Sequence, residues 1–224
     1  MDAMIRLQNV VKRHRGGHGG ARTFVPVLED FTLAVARGEF VALMGPSGAG
    51  KTTLLNLIGG LDRPDSGSIT VAGTRLDELD RSALTRWRAA HVGFVFQSHY
   101  LMPMLTAQGN VELPLLLTRL SRAQRREAAV AALARVGLVD RATHRPGQLS
   151  GGQQQRVGIA RAIITGAPVL LCDEPTAGLD RAAADSVLRL LVELSADGRT
   201  IVMVTHDPQA AAFADRCTEL AVTA

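Results

Sequence analysis

The sequence contains few cysteines and no apolar segment suited to crossing a bilayer. Cys172 and Cys217 do not show the paired spacing of zinc or redox sites, and nothing indicates a disulfide. Cys172 lies in an apolar run and is interpreted as a small core residue. The longest uncharged stretch, 92–111, contains too many polar side chains to span a membrane. The first residues lack a secretory signal pattern. We therefore expect a soluble protein of a reducing compartment, whose membrane role would come through a partner.

No sign of charge dominates. The chain has 25 basic and 21 acidic residues, a net charge of +4. The basic run 12–15 adjoins a glycine-rich stretch, 16–20, and is interpreted as a solvated loop. A mild positive excess suits an anionic nucleotide or a membrane surface, but it does not indicate a nucleic-acid partner, and we expect none.

Apolar runs alternate with helical patterns along the 224 residues, which predicts one α/β domain. The predicted strands are 5–10, 27–35, 40–44, 68–71, 92–96, 169–172, 200–205 and 217–222, and the early ones are expected to form a separate antiparallel layer. The predicted helices are 51–60, 81–90, 123–136, 153–164, 181–195 and 209–214. Residues 98–165 contain no convincing strand, so we expect a core lobe of about 1–97 and 166–224 and a helical lobe of about 98–165.

A phosphate-binding loop is predicted between the strand 40–44 and the helix that follows. The pattern G-x-x-x-x-G-K-[ST] is met by Gly45, Pro46, Ser47, Gly48, Ala49, Gly50, Lys51, Thr52 and Thr53. Glycines let successive N–H groups face phosphate oxygens, and the helix N-terminus adds positive potential. Lys51 is expected at the β- and γ-phosphates, and Thr52 on Mg²⁺. The alternative is an accidental glycine-rich turn, which the strand–loop–helix context disfavours.

The apolar strand 169–172 ends in two carboxylates, Asp173 and Glu174. Open α/β sheets bind ligands at this end of their strands. Asp173 is expected to complete the Mg²⁺ shell, and Glu174 to polarise the attacking water. Because neighbouring strand residues point to opposite sides, the two acids need not share a role. The alternative is a strand that simply ends at a polar turn.

A second anion-binding helix start is predicted where Ser150, Gly151, Gly152 and Gln153 precede a helical stretch. One triphosphate does not need two such sites from a single chain. A two-fold dimer does, because each chain's serine–glycine turn would cap the γ-phosphate held by its partner. The alternative is an N-capped helix after a flexible turn.

These pieces, in this order, resemble the nucleotide-binding subunit of ABC transporters over essentially the whole chain. The resemblance implies a phosphate-loop ATPase core with an antiparallel layer and a helical subdomain, and a homodimer that binds ATP and Mg²⁺. It also implies roles for three further residues. Gln97 would sense Mg²⁺ and the γ-phosphate, His206 would contact the γ-phosphate and the attacking water, and Asp180 would couple the two sites. Each could instead be an ordinary polar residue at a strand end.

Several runs are similar to the lipoprotein-releasing and macrolide-exporter group, among them 59–67, 93–97, 110–116 and 144–146. The resemblance implies a membrane permease partner, and a place on the cytoplasmic face of the bacterial inner membrane. A permease segment is expected to dock near Ser98–Leu117, whose apolar residues could equally belong to the core of the helical lobe. The transported substrate is not readable from this chain.

Two positions depart from the family pattern. His14 stands where the family usually stacks adenine on an aromatic residue, and imidazole offers less area. We therefore predict weaker base selectivity, with GTP competing against ATP. Gly109 stands where a glutamate is common, within the region expected to couple to the permease.

Three other functions share this type of ATPase. One is a cell-division complex that regulates wall hydrolases without moving a substrate, and the sequence does not separate it from a transporter. The second is a DNA-repair ATPase, which would need a long coiled coil between Lys51 and Ser150. That interval is too short and shows no heptad repeat. A third, a translation factor, would carry two cassettes, and this chain has one.

Overall fold

The computed structural model describes residues 3–16, 23–46 and 48–220. Within these residues the strands are β1 (Ala3–Gly16), β2 (Thr23–Ala36), β3 (Phe40–Met44), β4 (Ser66–Val71), β5 (Thr74–Arg75), β6 (Val92–Val95), β7 (Val169–Asp173), β8 (Thr200–Thr205) and β9 (Arg216–Glu219). The helices are α1 (Lys51–Ile58), α2 (Arg81–His91), α3 (Ala107–Glu112), α4 (Arg122–Arg135), α5 (Gly151–Ile163), α6 (Arg181–Ala196) and α7 (Pro208–Ala211). Short 3₁₀ turns cover Leu113–Leu117, Val139–Arg141 and Pro146–Gln148.

Two sheets form the framework. One is antiparallel with the order β2-β1-β4-β5, and the other is parallel with the order β6-β7-β8-β3-β9. The predicted antiparallel layer and parallel sheet are therefore confirmed, as is the absence of strands from the described residues 98–165. Helix α4 begins with a capping box, in which Ser121 and Gln124 bond each other's backbone N–H groups.

Several segments differ from the sequence prediction. Neither β5, which has only two residues, nor α3, whose six residues include Gly109 and Asn110, was predicted. Helix α1 ends at Ile58 rather than at residue 60, because Gly60 adopts a left-handed φ of +64° that closes the last turn. Strand β9 begins at Arg216 and ends at Glu219, and residues 221–222 of the predicted strand lie outside the described residues.

The parallel sheet is buried on both faces, and alternate residues of its central strands enter different cores. In β7, Leu170 and Cys172 belong to a core shared with α3, α4, α5 and α6, whereas Val169 and Leu171 belong to a core shared with α1, α2 and the antiparallel sheet. Cys172 is fully buried, whereas Cys217 is exposed on the edge strand β9. Among the described helices, none is long and apolar enough to cross a membrane.

The order of the strands determines where polar side chains meet. The phosphate-loop segment, Gln97, Glu174 and His206 follow β3, β6, β7 and β8 respectively. Since these strands are parallel neighbours, their carboxyl ends lie along one edge of the sheet.

Candidate nucleotide site

The loop between β3 and α1 has the backbone shape that a phosphate cradle requires. Gly48 and Gly50 adopt φ values of +85° and +81°, a region that glycine occupies without strain. At Gly50 a Cβ would also lie 2.9 Å from Cγ1 of Val27. No side chain of the described residues caps α1, so its first N–H groups face the loop. Ser47, one of the predicted phosphate ligands, lies outside the described residues.

The first residues of α1 carry the polar side chains of the site. Lys51 donates from Nζ to the carbonyl oxygens of Gly45 at 2.6 Å and Pro46 at 2.9 Å, which holds its ammonium group against the loop. The Thr52 hydroxyl donates to Oδ2 of Asp173 at 3.1 Å. At the next residue of α1, the Thr53 Oγ1 atom lies 3.1 Å from Nε2 of His14.

The two acids at the end of β7 point to different partners. Burial raises the pKa of Asp173 above its ordinary range; the charge of Glu174 adds to the rise, while the hydrogen bond from Thr52 and the charge of Lys51 oppose it. Glu174 has a left-handed φ of +46°, and its N–H donates to the carbonyl of Val204 in β8. Its Oε1 lies 2.8 Å from Nδ1 of His206.

One cleft brings most of the predicted site residues together. Its volume is about 440 Å³, and it lies at the carboxyl edge of the parallel sheet. Its lining comprises His14, Val27, Gly48, Gly50, Lys51, Thr52, Thr53, Gln97, Asp173 and Glu174. His206 contacts Glu174 from an adjoining cavity of about 340 Å³, which it lines with Gly45 and Pro46.

The serine–glycine turn, by contrast, does not line this cleft. Ser150 caps α5, accepting a hydrogen bond from the N–H of Gln153 at 3.3 Å, while the Gln153 side chain accepts from the N–H of Ser150. Gly152 packs so closely on α6 that a Cβ there would lie 2.8 Å from Cβ of Ala183. Asp180 caps α6 through the N–H of Ala183 at 2.9 Å. The turn and Asp180 therefore form a second polar site beside the start of α6.

Sequence reasoning did not find Val27 as a cleft residue. Its side chain closes the cleft beside Gly50, and no motif includes it. The antiparallel register of β1 and β2, which pairs His14 with Val25, would have placed it near the predicted base site. Ser150 forms the helix cap that the sequence offered as the alternative interpretation, and the cap at Asp180 could have been predicted from an aspartate directly before a helix.

A parallel sheet with a glycine-rich loop, a lysine at the following helix start and an acidic strand end defines a phosphate-loop ATPase. Comparison with known proteins identifies the family within the phosphate-loop ATPases. Residues 28–177 match the family described as ABC transporter, and the chain belongs to that family. It is an ATP-binding cassette, the part of an ABC transporter that binds and hydrolyses ATP.

Similar proteins are known both by sequence and by structure. The chain is 50% identical over 217 residues to the macrolide export ATP-binding/permease protein MacB of Rhodopseudomonas palustris, which covers 97% of this chain and 33% of the relative. The MacB of Burkholderia pseudomallei gives the same figures. The chain thus spans about a third of the length of these relatives. The dimeric bacterial ABC transporter cassette MJ0796 is 43% identical, with a TM-score of 0.87 over 97% of this chain and 94% of that one.

Proposed function

We propose that two copies of this cassette enclose two ATP molecules head to tail and thereby drive a membrane permease. The observation that carries the proposal is the separation of two phosphate-binding features within one chain. The cleft contains Lys51, whereas the turn at Ser150 lies outside it, beside α6. A second chain related by a two-fold axis would bring its own Ser150 to the cleft and complete both sites at once. A solved dimeric cassette of the same fold supports this arrangement.

Within the closed site each side chain has a defined task. Lys51 and the loop N–H groups bind the β- and γ-phosphates. Glu174 accepts the proton of a water that attacks the γ-phosphorus, as the bond from that phosphorus to the bridging oxygen breaks. His206, 2.8 Å from Glu174, orients this carboxylate, and Gln97 reports the state of the γ-phosphate to the helical lobe. Asp180, at the start of α6, couples the two sites.

The residues around Thr52 fit a magnesium ion. A hydroxyl and a carboxylate that already lie 3.1 Å apart, with Gln97 lining the same cleft, are the hard oxygen donors that Mg²⁺ prefers. Burial raises the pKa of Asp173 because it disfavours the charged carboxylate, and a nearby cation would favour that charged form. When bound, Mg²⁺ neutralises charge on the phosphates. Thr52, Asp173 and Gln97 would hold it.

A groove beside the segment 98–117 suits the docking of a permease segment. It has a volume of about 600 Å³ and mostly apolar walls that include Phe94, Tyr100 and Leu117. Arg161 donates to the carbonyls of His99 and Tyr100, which fixes one rim in a left-handed conformation. The apolar residues of the segment divide between two roles: Ala107, Val111 and Leu115 are buried, while Tyr100, Met102, Met104, Leu116 and Leu117 are exposed.

Buried Asn110 shapes the same segment. Its side chain accepts from the N–H of Met102 and donates to the carbonyls of Met102 and Thr106, so the loop before α3 is closed by one residue.

Through the segment 98–117 the cassette would sit at the cytoplasmic face of the membrane. The relatives named as macrolide exporters favour a permease that extracts or exports a lipoprotein, peptide or drug.

Glu174→Gln tests the proposal. The variant keeps every steric contact but loses the base, so hydrolysis is expected to fall by about 100-fold or more while ATP binding persists. ATP should then hold the protein as a dimer, measured by phosphate release and by light scattering after gel filtration. Glu193→Gln makes the same chemical change on the exposed side of α6 and should alter neither measurement.

Lys51→Ala provides the opposite control, because it should abolish nucleotide binding and therefore also the dimer. If the Glu174→Gln protein hydrolyses ATP at the normal rate, the assignment of the base is wrong. If it binds ATP and stays monomeric even beside its permease, the shared-site proposal is wrong.

A further inference from the structure

A group of exposed leucines and arginines runs along the chain from the 3₁₀ turn Leu113–Leu117 into the first turns of α4. We name it the leucine–arginine patch, and it consists of Leu116, Leu117, Arg119, Arg122 and Arg126. Leu117 is 95% exposed and Leu116 is 54% exposed. The three arginines are exposed, and within the described part of the chain they form no hydrogen bond or ion pair.

Charge in this region is mostly positive, and the exposed Glu127, directly after Arg126, is the one acidic residue among 113–127. From Leu113 to Arg126 the sequence contains four arginines and no acidic residue. The flanking Glu112 is engaged by Gln108 at 2.7 Å, and Arg125 donates to the carbonyl of Leu120. The remaining three arginines thus present positive charge to the surroundings beside two exposed leucines.

The fold of the isolated chain gains nothing from this arrangement. Helix α4 has no acidic residue in its first turn, although the positive end of the helix dipole favours acids there. Arg122 and Arg126 lie one turn apart, where like charges repel. Exposing a leucine almost completely also forgoes its burial. Residues that weaken a helix and expose apolar area indicate a surface that an anionic and partly apolar partner covers.

We propose that the leucine–arginine patch binds the surface of a bilayer that contains anionic lipids. Arginines would contact headgroup phosphates while the leucines enter the boundary with the acyl chains. The inference rests on the proposed permease partner, because Leu117 also lines the groove and a docked cassette would lie beside the bilayer. A protein segment could cover the leucines, but the phosphate groups of a lipid surface, which extend over a wide area, are the better partner for three separate arginines.

Sedimentation with lipid vesicles tests the inference on the full chain without nucleotide or permease. We expect the protein to sediment with vesicles that contain phosphatidylglycerol and not with vesicles of phosphatidylcholine alone. Binding should weaken as salt is added, because the attraction is electrostatic. Arg119→Gln, Arg122→Gln and Arg126→Gln together should weaken binding by about 100-fold, since each basic residue contributes about fivefold.

A matched control removes the same charge elsewhere. Arg81→Gln, Arg86→Gln and Arg189→Gln together alter three exposed arginines on α2 and α6 and should change vesicle binding by less than about threefold. Leu117→Gln should weaken binding about tenfold without altering the dependence on salt, because it removes apolar contact only.

Three results would overturn the inference. The first is the absence of binding to anionic vesicles, and the second is an equal loss in the patch and control variants. The third is a patch variant that binds vesicles normally but no longer binds the permease, which would make the patch a protein contact. Failure here is distinct from failure of the proposed function: the Glu174→Gln protein would still form its ATP-bound dimer.

Discussion

Glu174 shows how one backbone angle directs the side chain that we propose as the base. The sequence predicted different roles for the two acids, Asp173 on Mg²⁺ and Glu174 on the attacking water, but not how the backbone would separate them. In the structure a left-handed φ of +46° at Glu174 turns the chain as β7 ends, so that Asp173 meets Thr52 while Glu174 meets His206. This conformation is costly for a residue with a side chain and persists only where surrounding contacts impose it. Sequence patterns carry no signal for such an angle.

The histidine at position 14 leads to a prediction about which nucleotide base the cleft prefers. Its Nε2 contacts Thr53, and its ring lines the cleft beside Val27, where a small imidazole leaves less stacking area than a phenol ring. His14→Tyr should raise the ratio of ATP to GTP affinity by about tenfold, measured by titration of both nucleotides. A strong preference for ATP in the unaltered protein would contradict the assignment of this residue to the base.

Asp77 should make stability depend on pH. A hydrogen bond from Arg75 lowers the pKa of Asp77, with help from the N–H of Ile69, while burial opposes the shift. A depressed pKa in the folded state stabilises the protein above the unfolded pKa, and this contribution disappears as pH falls through the folded value. Asp77→Asn should therefore lose stability near neutral pH and show a smaller further loss on acidification, measured by urea denaturation. Glu78→Gln, which alters the exposed partner of the same arginine, should change little.

The bounds of the strands that are buried on both faces of the sheet were predicted most accurately. Strands β3 and β8 have the predicted bounds because a fully buried strand must be continuously apolar. Helix α3 could not be predicted, since it contains Gly109 and depends on tertiary contacts: Thr106 caps it, and the N–H of Ala107 donates to the carbonyl of His144. The cleft follows from motifs, whereas the course of the groove depends on Asn110 and Arg161.

The close contact between β6 and α5 gives a prediction at the scale of elements. A Cβ at Gly93 would lie 2.3 Å from the carbonyl oxygen of Ala162, which is backbone and cannot move aside. Gly93→Ala should therefore destabilise the protein by about 2–3 kcal/mol, measured by chemical denaturation. Gly158→Ala, in the same helix, meets no described atom within 4 Å and should raise stability by about 0.5–1 kcal/mol. Equal effects of the two substitutions would contradict the packing described here.

At the scale of the whole molecule, the proposed dimer predicts complementation between two inactive variants. Lys51→Ala removes the phosphate lysine of one chain's own site. Ser150→Asp keeps a good helix cap but places a negative charge where the proposal puts the partner's γ-phosphate. In a mixed dimer, one site combines an intact Lys51 with an intact Ser150.

Mixing the two variants should therefore restore ATPase activity, up to about a quarter of the normal rate if chains pair at random. Each variant alone should remain inactive, and circular dichroism should show that both are folded. Should the mixture stay as inactive as its components, the two residues act in the same chain. Sequence reasoning predicted this sharing from symmetry alone, and in the structure Lys51 lines the cleft while Ser150 of the same chain does not.

The contrast between the two cysteines has a practical use. Burial raises the pKa of the Cys172 thiol far above its ordinary range and encloses it in the core, so it should not react with maleimide reagents. Cys217 is exposed on the edge strand β9. The unaltered chain therefore accepts a single fluorophore at a defined place, and energy transfer between donor- and acceptor-labelled chains would test, without any engineered residue, whether they associate and separate during turnover.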